Sequence, residues 1–221
     1  MAEPGQWQHA WAKQALTGDA VRQLQEKGFC HLPGAFDADL ASACLEECRK
    51  LDDASATTVT TNRCNRGSRS AWLDLSSEDS AALHQLPKLT ELSRMLAGLP
   101  WELQNSGFED LRVHPATMLA VYPEQAASYA LHKDSYAPAD NDPATGATRR
   151  LTVLAYFNEA REGDGGQLRV HEAAKDKPDP RKFEALEPKA GTVIVFDSRR
   201  IWHAVAPSLR GDRWAMTLWV H

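Results

Sequence analysis

From Leu111 to its last residue the chain reads as a succession of short apolar runs broken by turn signals, and this pattern restricts the fold more than any other feature. Strands are predicted at Leu111–Val121, Ser128–His132, Leu151–Asn158, Gln167–His171, Lys182–Leu186, Thr192–Asp197, Trp202–Val205 and Trp214–Val220. No helical periodicity alternates with them, which argues against βαβ units and a parallel doubly wound sheet. The first half differs. Trp7, Trp11, Leu16, Val21 and Leu24 recur at helical spacing up to Gly28. A short strand, Phe29–Leu32, and a Pro33-Gly34 turn follow. A second helix runs from Asp37 or Asp39 to about Leu51, and a third, starting near Ser77 or Pro87, ends at Leu99 with Leu89, Leu92, Met95 and Leu96 inward. The predicted fold class is α+β, mainly β: a jelly-roll core, or double-stranded β-helix, flanked by N-terminal helices. One domain is expected over residues 1–221, with 1–109 as helical support and flap and 110–221 as the core. Asp52–Ser70 and Asp134–Thr148 are polar and rich in small residues, and read as long surface loops, the first with strand edges in it.

Within the strand-rich half, LAVYPEQAASYALHKD closes on His132-Lys133-Asp134. In extended backbone, residues two apart point to one face, so an imidazole and a carboxylate project together. His203, in DSRRIWHAVAP, is the candidate for a third ligand. Two histidines and one carboxylate on one face hold non-haem Fe(II) and leave positions open. Alone, His-x-Asp is an easy accident among eight histidines, and a lone strand histidine is more often packed core or surface. Arg213, ten residues beyond His203 on the next strand, adds a cationic fork suited to a carboxylate in a water-poor pocket. Alternation sorts the neighbours. Arg213, Ala215, Thr217 and Trp219 share one face, as do Thr152, Leu154 and Tyr156, and as do Met118 and Tyr122. The plain alternative for each is a core side chain.

A formal net charge of -5 argues against nucleic acid as a partner. No apolar run is long enough to span a bilayer. The opening MAEPGQWQHAWAKQALTGDA lacks the profile of a secretory signal, and Cys30, Cys44, Cys48 and Cys64 show neither zinc-like nor disulfide spacing. A reducing, intracellular setting, cytoplasm or nucleus, is expected. Cys44 and Cys48, one helical turn apart, are read as core rather than redox groups. Arg149, Arg150, Arg199, Arg200 and Arg210 suggest solvated surface or a basic rim that attracts an acidic ligand.

Five segments, MLAVYPEQAASYALHKD, RRLTVLAYFN, GDGGQLRVH, KAGTVIVFDSRRIWHAV and RWAMTLWV, together resemble the catalytic core of the 2-oxoglutarate and Fe(II) dependent prolyl 4-hydroxylases. The likeness is nearest to the hypoxia-inducible-factor prolyl hydroxylase type and its bacterial relatives. It extends less specifically to GFCHLPGAFD and NRGSRSAWLD. The resemblance implies that His132, Asp134 and His203 bind iron and that Arg213 pairs with the distal carboxylate of 2-oxoglutarate. It further implies that the Tyr156 hydroxyl bonds the same carboxylate, that Tyr122 lines the metal side, and that Thr152, Leu168 and Trp219 form pocket wall. Arg149 matches a position at the entrance. The implied reaction uses dioxygen, yields succinate and carbon dioxide, and hydroxylates a prolyl residue of a protein or peptide at the 4-position, with ascorbate supporting activity.

Some features depart from the hypoxia-factor type. The interval from His203 to Arg213 is one residue longer and matches the collagen type, which usually has lysine there, and the connection from Asp134 to Arg149 is also longer. The chain ends at His221, so a C-terminal helix that holds peptides in close relatives is expected to be absent or removed. Two alternatives stand beside the leading one. The same cofactors could act on free proline, another residue or a small molecule, or the fold could be a non-catalytic metal-binding jelly roll. Oligomeric state is left open.

Overall fold

The computed structural model describes residues 6–54, 56–59, 65–74, 85–114, 116–124, 127–135, 149–171 and 177–221. Two antiparallel sheets dominate. The larger runs in the order β1 (Phe29–Leu32), β10 (Val193–Asp197), β7 (Leu151–Tyr156), β12 (Arg213–Val220), β5 (Ala116–Tyr122), β4 (Arg69–Asp74), β2 (Thr58–Val59). The smaller runs β3 (Asn65–Arg66), β6 (Ser128–His132), β11 (Trp202–Val205), β8 (Leu168–His171), β9 (Glu184–Leu186). This is the α+β, mainly β, jelly-roll architecture. The central strands β7 and β12 are buried along their whole length because both of their faces are covered. On one face Trp214, Met216, Leu218 and Val220, with Leu151, Val153 and Ala155, join Leu24, Cys44 and Leu92 of the helices in one apolar cluster. On the other, Leu154, Tyr156 and Ala215 meet Leu168, Val170 and Val205 of the smaller sheet. Helices, large sheet and small sheet are thus three layers, and the second interface holds the site.

The helical half differs from expectation in its breaks. The long N-terminal helix is two, α1 (Gln6–Ala15) and α2 (Gly18–Lys27). Thr17, extended at ψ 158, stops the first and accepts from Ala20 N as the cap of the second. The helix α3 (Ala38–Asp53) is capped by Asp37, which accepts from Leu40 N at 2.7 Å. The third predicted helix starts at Pro87 as α4 (Pro87–Leu96), and a further helix, α5 (Leu99–Asn105), was not expected. Gly98 separates them where α1 comes close: a Cβ there would lie 2.9 Å from the Gln8 carbonyl oxygen. Glu47 of α3 is buried and accepts from Lys88 N and Leu89 N, capping α4 from a different helix. The Ser77 start lies outside the described residues.

Smaller boundaries shift too. The strand expected from Leu111 starts at Ala116, preceded by a single bridge between Val113 and Val220, and the Lys182 strand starts at Glu184. Most of the loop Asp134–Thr148 lies outside the described residues. Cys30, Cys44 and Cys48 are buried, and burial above all pushes the Cys30 and Cys44 thiols up to about 12. They are core residues, as their helical and strand positions predict. Among the described residues no helix is long and apolar enough to cross a membrane.

Candidate active site

The pairing of β6 with β11 sets His203 directly opposite His132, and Asp134 follows where β6 has just ended. Nε2 of His132 lies 3.4 Å, and Nε2 of His203 3.7 Å, from Oδ1 of Asp134, and the three donor atoms are within 4.8 Å of one another. Donors about 2.0–2.2 Å from a shared ion sit about 3 Å apart at neighbouring octahedral corners, so only a small inward adjustment is needed. The rings are held for this role. Nδ1 of His132 donates to the Ala130 carbonyl at 2.8 Å, and Nδ1 of His203 to that of Ile201 at 3.4 Å. A carbonyl only accepts, so each Nδ1 carries a hydrogen, and Nε2 is the ring nitrogen that faces Asp134.

The second oxygen of Asp134 is held separately. Its Oδ2 accepts from Thr152 Oγ1 at 2.7 Å and from Trp219 Nε1 at 3.2 Å. Since the Thr152 hydroxyl hydrogen goes to the carboxylate, the Ser198 hydroxyl, 2.8 Å away, donates to Thr152. Burial opposes the charge on Asp134, yet His203, His132 and the Thr152 hydrogen bond hold its carboxyl well below the usual carboxylate range. Burial, then repulsion from His132, pushes His203 down to about 4 against the pull of Asp134. A charged carboxylate beside a neutral imidazole is the state that a divalent cation requires.

Arg213 is buried, and its Nη2 donates to the Tyr156 hydroxyl at 3.2 Å. The guanidinium carbon lies 4.9 Å from the centre of the Tyr122 ring and 4.8 Å from that of Tyr156. Among the described residues its Nε has no hydrogen-bond partner and no carboxylate forms an ion pair with it. A buried cation without an anion is destabilising by several kcal/mol, so the pocket suits an anionic ligand. Gly166, at φ +72, makes room for this side chain: a Cβ there would lie 3.0 Å from Arg213 Cδ.

One cavity of about 260 Å³ takes in His132, Asp134, His203 and Arg213 together. Tyr122, Leu168, Trp219 and Arg149 line it as well. Two expected pocket residues, the wall position Thr152 and the carboxylate-bonding Tyr156, stand off the cavity. Thr152 is turned to Asp134 and does not line the cavity, and Tyr156 is fully buried behind it, bonded to Arg213. Tyr122 is the register partner of Arg213 and packs on its guanidinium. The arginines do not form one rim. Arg149 lies over the Trp219 ring at 3.8 Å, whereas Arg200 donates to the Gln25 and Glu26 carbonyls at the end of α2. Sequence reasoning missed Ser198, Tyr129, which stacks on the His132 ring at 3.9 Å, and Trp72, which stacks on Trp219. Only the strand alternation of β4, which puts Trp72 on the face of the cavity-lining Ser70, carried a signal for them.

Residues 117–221 match the family model described as the 2OG-Fe(II) oxygenase superfamily. The chain is a 2-oxoglutarate-dependent dioxygenase. This oxygenase is similar in structure to a prolyl-4-hydroxylase from Pseudomonas putida, at TM-score 0.66 and 26% identity over 92% of this chain and 97% of that one. It is similar also to a Trichoplax adhaerens prolyl hydroxylase in complex with a hypoxia inducible factor peptide fragment, at TM-score 0.75 and 23% identity over 98% and 93%. A non-heme alpha ketoglutarate dependent carbocyclase from nogalamycin biosynthesis shares the fold, at TM-score 0.68 and 16% identity over 99% and 87%.

The donor set fits the cofactors of the oxygenase. His132, Asp134 and His203 would hold Fe(II), and Arg213 a carboxylate of 2-oxoglutarate. When bound, the two together supply the activation of dioxygen, 2-oxoglutarate leaving as succinate and carbon dioxide. The chain itself would contribute three ligands from one side. It also keeps one Asp134 oxygen directed by engaging the other one, and it buries His132, His203 and Arg213 between two sheets.

Proposed function

We propose that this oxygenase hydroxylates a prolyl residue, at the 4-position, in a protein or peptide. The observation that carries the reading is the 26% identity to the Pseudomonas putida prolyl-4-hydroxylase over 92% of this chain, which takes in the helical half lying outside residues 117–221. The peptide bound by the Trichoplax adhaerens enzyme supports a peptide as the form of the substrate. In this reading His132, Asp134 and His203 carry the iron, and Arg213, braced by Tyr156 and Tyr122, anchors the distal carboxylate of 2-oxoglutarate. Thr152 and Trp219 steady Asp134, Leu168 shapes the apolar wall, and Arg149 faces the incoming chain. Ascorbate sustains turnover.

The test is succinate formation with Fe(II) and 2-oxoglutarate against a peptide library, free proline and proline-free peptides, with products mapped by mass spectrometry. Succinate coupled to oxygen gain on a prolyl residue is the expected result. Stimulation by free proline alone, or by proline-free peptides as strongly as by proline-containing ones, overturns the substrate assignment and leaves the oxygenase standing.

A further inference from the structure

The indole N–H of Trp219 bonds Asp134 Oδ2 at 3.2 Å, and the other oxygen of that carboxylate faces both ligand histidines. The Trp72 ring stacks on Trp219, centroids 5.2 Å apart and planes 24° apart. Trp72 is 52% exposed, more than any other large aromatic side chain among the described residues. An unbroken path of contacts therefore leads from the metal-binding carboxylate through two indoles to solvent.

We propose that Trp219 and Trp72 form a redox relay that carries oxidising equivalents from the metal site to the surface, where a small one-electron reductant of the ascorbate class discharges them. The proposal rests on the assignment of the metal to His132, Asp134 and His203. Indole is among the most readily oxidised side chains, and stacked rings exchange electrons quickly. The direction is set by charge. The Arg149 guanidinium, 3.8 Å from the Trp219 ring centre, raises the energy of a positive charge on that ring, while solvent stabilises one on Trp72. The buried phenols are poorer exits, because Tyr122 and Tyr156 lie against the Arg213 cation.

The relay acts when dioxygen and 2-oxoglutarate have reacted with no target in place. The oxidant left at the metal would take one electron from Trp219, whose N–H stays hydrogen-bonded to Asp134. Trp72 then reduces Trp219, and ascorbate reduces Trp72 while becoming its own one-electron-oxidised radical. Two such passages, with two protons from solvent, return the metal to the ferrous state and release one water molecule.

The experiment uses whole enzyme loaded with Fe(II) and given 2-oxoglutarate and dioxygen without any target peptide, followed by mass-spectrometric mapping of oxygen gained on side chains. Oxygenation is expected to be greater at Trp72 than at Trp219 or Tyr129, to need 2-oxoglutarate, and to be suppressed by ascorbate. Trp72→Phe is expected to shift the modification inward to Trp219 and Tyr129 and to lose the ascorbate suppression, whereas Trp72→Tyr, which remains oxidisable, keeps it. Oxygenation of Trp72 that is absent or does not need 2-oxoglutarate, or a Trp72→Phe map identical to that of the wild type, overturns the relay. Because no target is present, a mere substrate contact at Trp72 would change none of these readouts. The metal assignment is tested separately by Co(II) titration: a His203→Ala protein that binds Co(II) as tightly as the wild type sinks that assignment and not the order of the tryptophans.

Discussion

Arg213 and His203 show how single side chains are prepared before any ligand arrives. The Arg213 guanidinium is already desolvated and braced by two phenols, with its Nε unused. Arg213→Lys keeps the charge but loses the planar fork. A hydrogen bond to a charged group contributes about 1.5–3 kcal/mol, so the 2-oxoglutarate Kd, measured by calorimetry with Co(II), is expected to rise about 10- to 100-fold. Co(II) affinity itself should not change. His203 has an ordinary value of 6.5, and burial pushes it to about 4 in the folded chain. Between those values the unfolded chain takes up a proton that the folded chain refuses, so stability falls as the pH drops through that window. Metal-free protein is therefore expected to lose Tm on acidification from about 6.5 toward 4 more steeply than a His203→Gln variant, as read by differential scanning calorimetry. The same acidification competes with the metal for Nε2 and should release it.

At the level of elements, α4 depends on a neighbour for its start. Glu47 reaches from α3 to the N–H groups of Lys88 and Leu89, where a carboxylate also complements the helix dipole. Glu47→Ala leaves the buried Leu89 N–H and the partly buried Lys88 N–H without that acceptor, at about 1–3 kcal/mol. For a chain of this size, about 2–4 °C per kcal/mol puts the expected Tm loss at about 2–12 °C, with 2-oxoglutarate Kd unchanged. Such a contact cannot be read from the chain, since Glu47 and Lys88 lie far apart in it and neither has a signature. The legible parts obey local rules. Alternation alone assigns Arg213, Ala215, Thr217 and Trp219 to the cavity face of β12, because the backbone sets that period whatever the context. His132 and Asp134 are legible for the same reason. Thr152, on the inner face of β7, turned out to serve the carboxylate instead of the wall, and Ser198 behind it gave no local cue. The break at Gly98 likewise reflects the approach of α1, a tertiary event.

For the whole molecule, ligands that bind only the folded chain stabilise it by mass action, by about 2.7 kcal/mol at a hundred times Kd. Co(II) followed by 2-oxoglutarate is expected to raise Tm in two increments by thermal shift, and in Arg213→Lys only the second should shrink. The origin of the first increment lies in how Asp134 is placed. Both imidazoles belong to the small sheet, whereas Thr152 and Trp219, which grip the carboxylate, belong to the large one. An ion seated there would act as a rivet through both layers. Copies starved of iron would then breathe open more often along that seam, and a protease would cut them first.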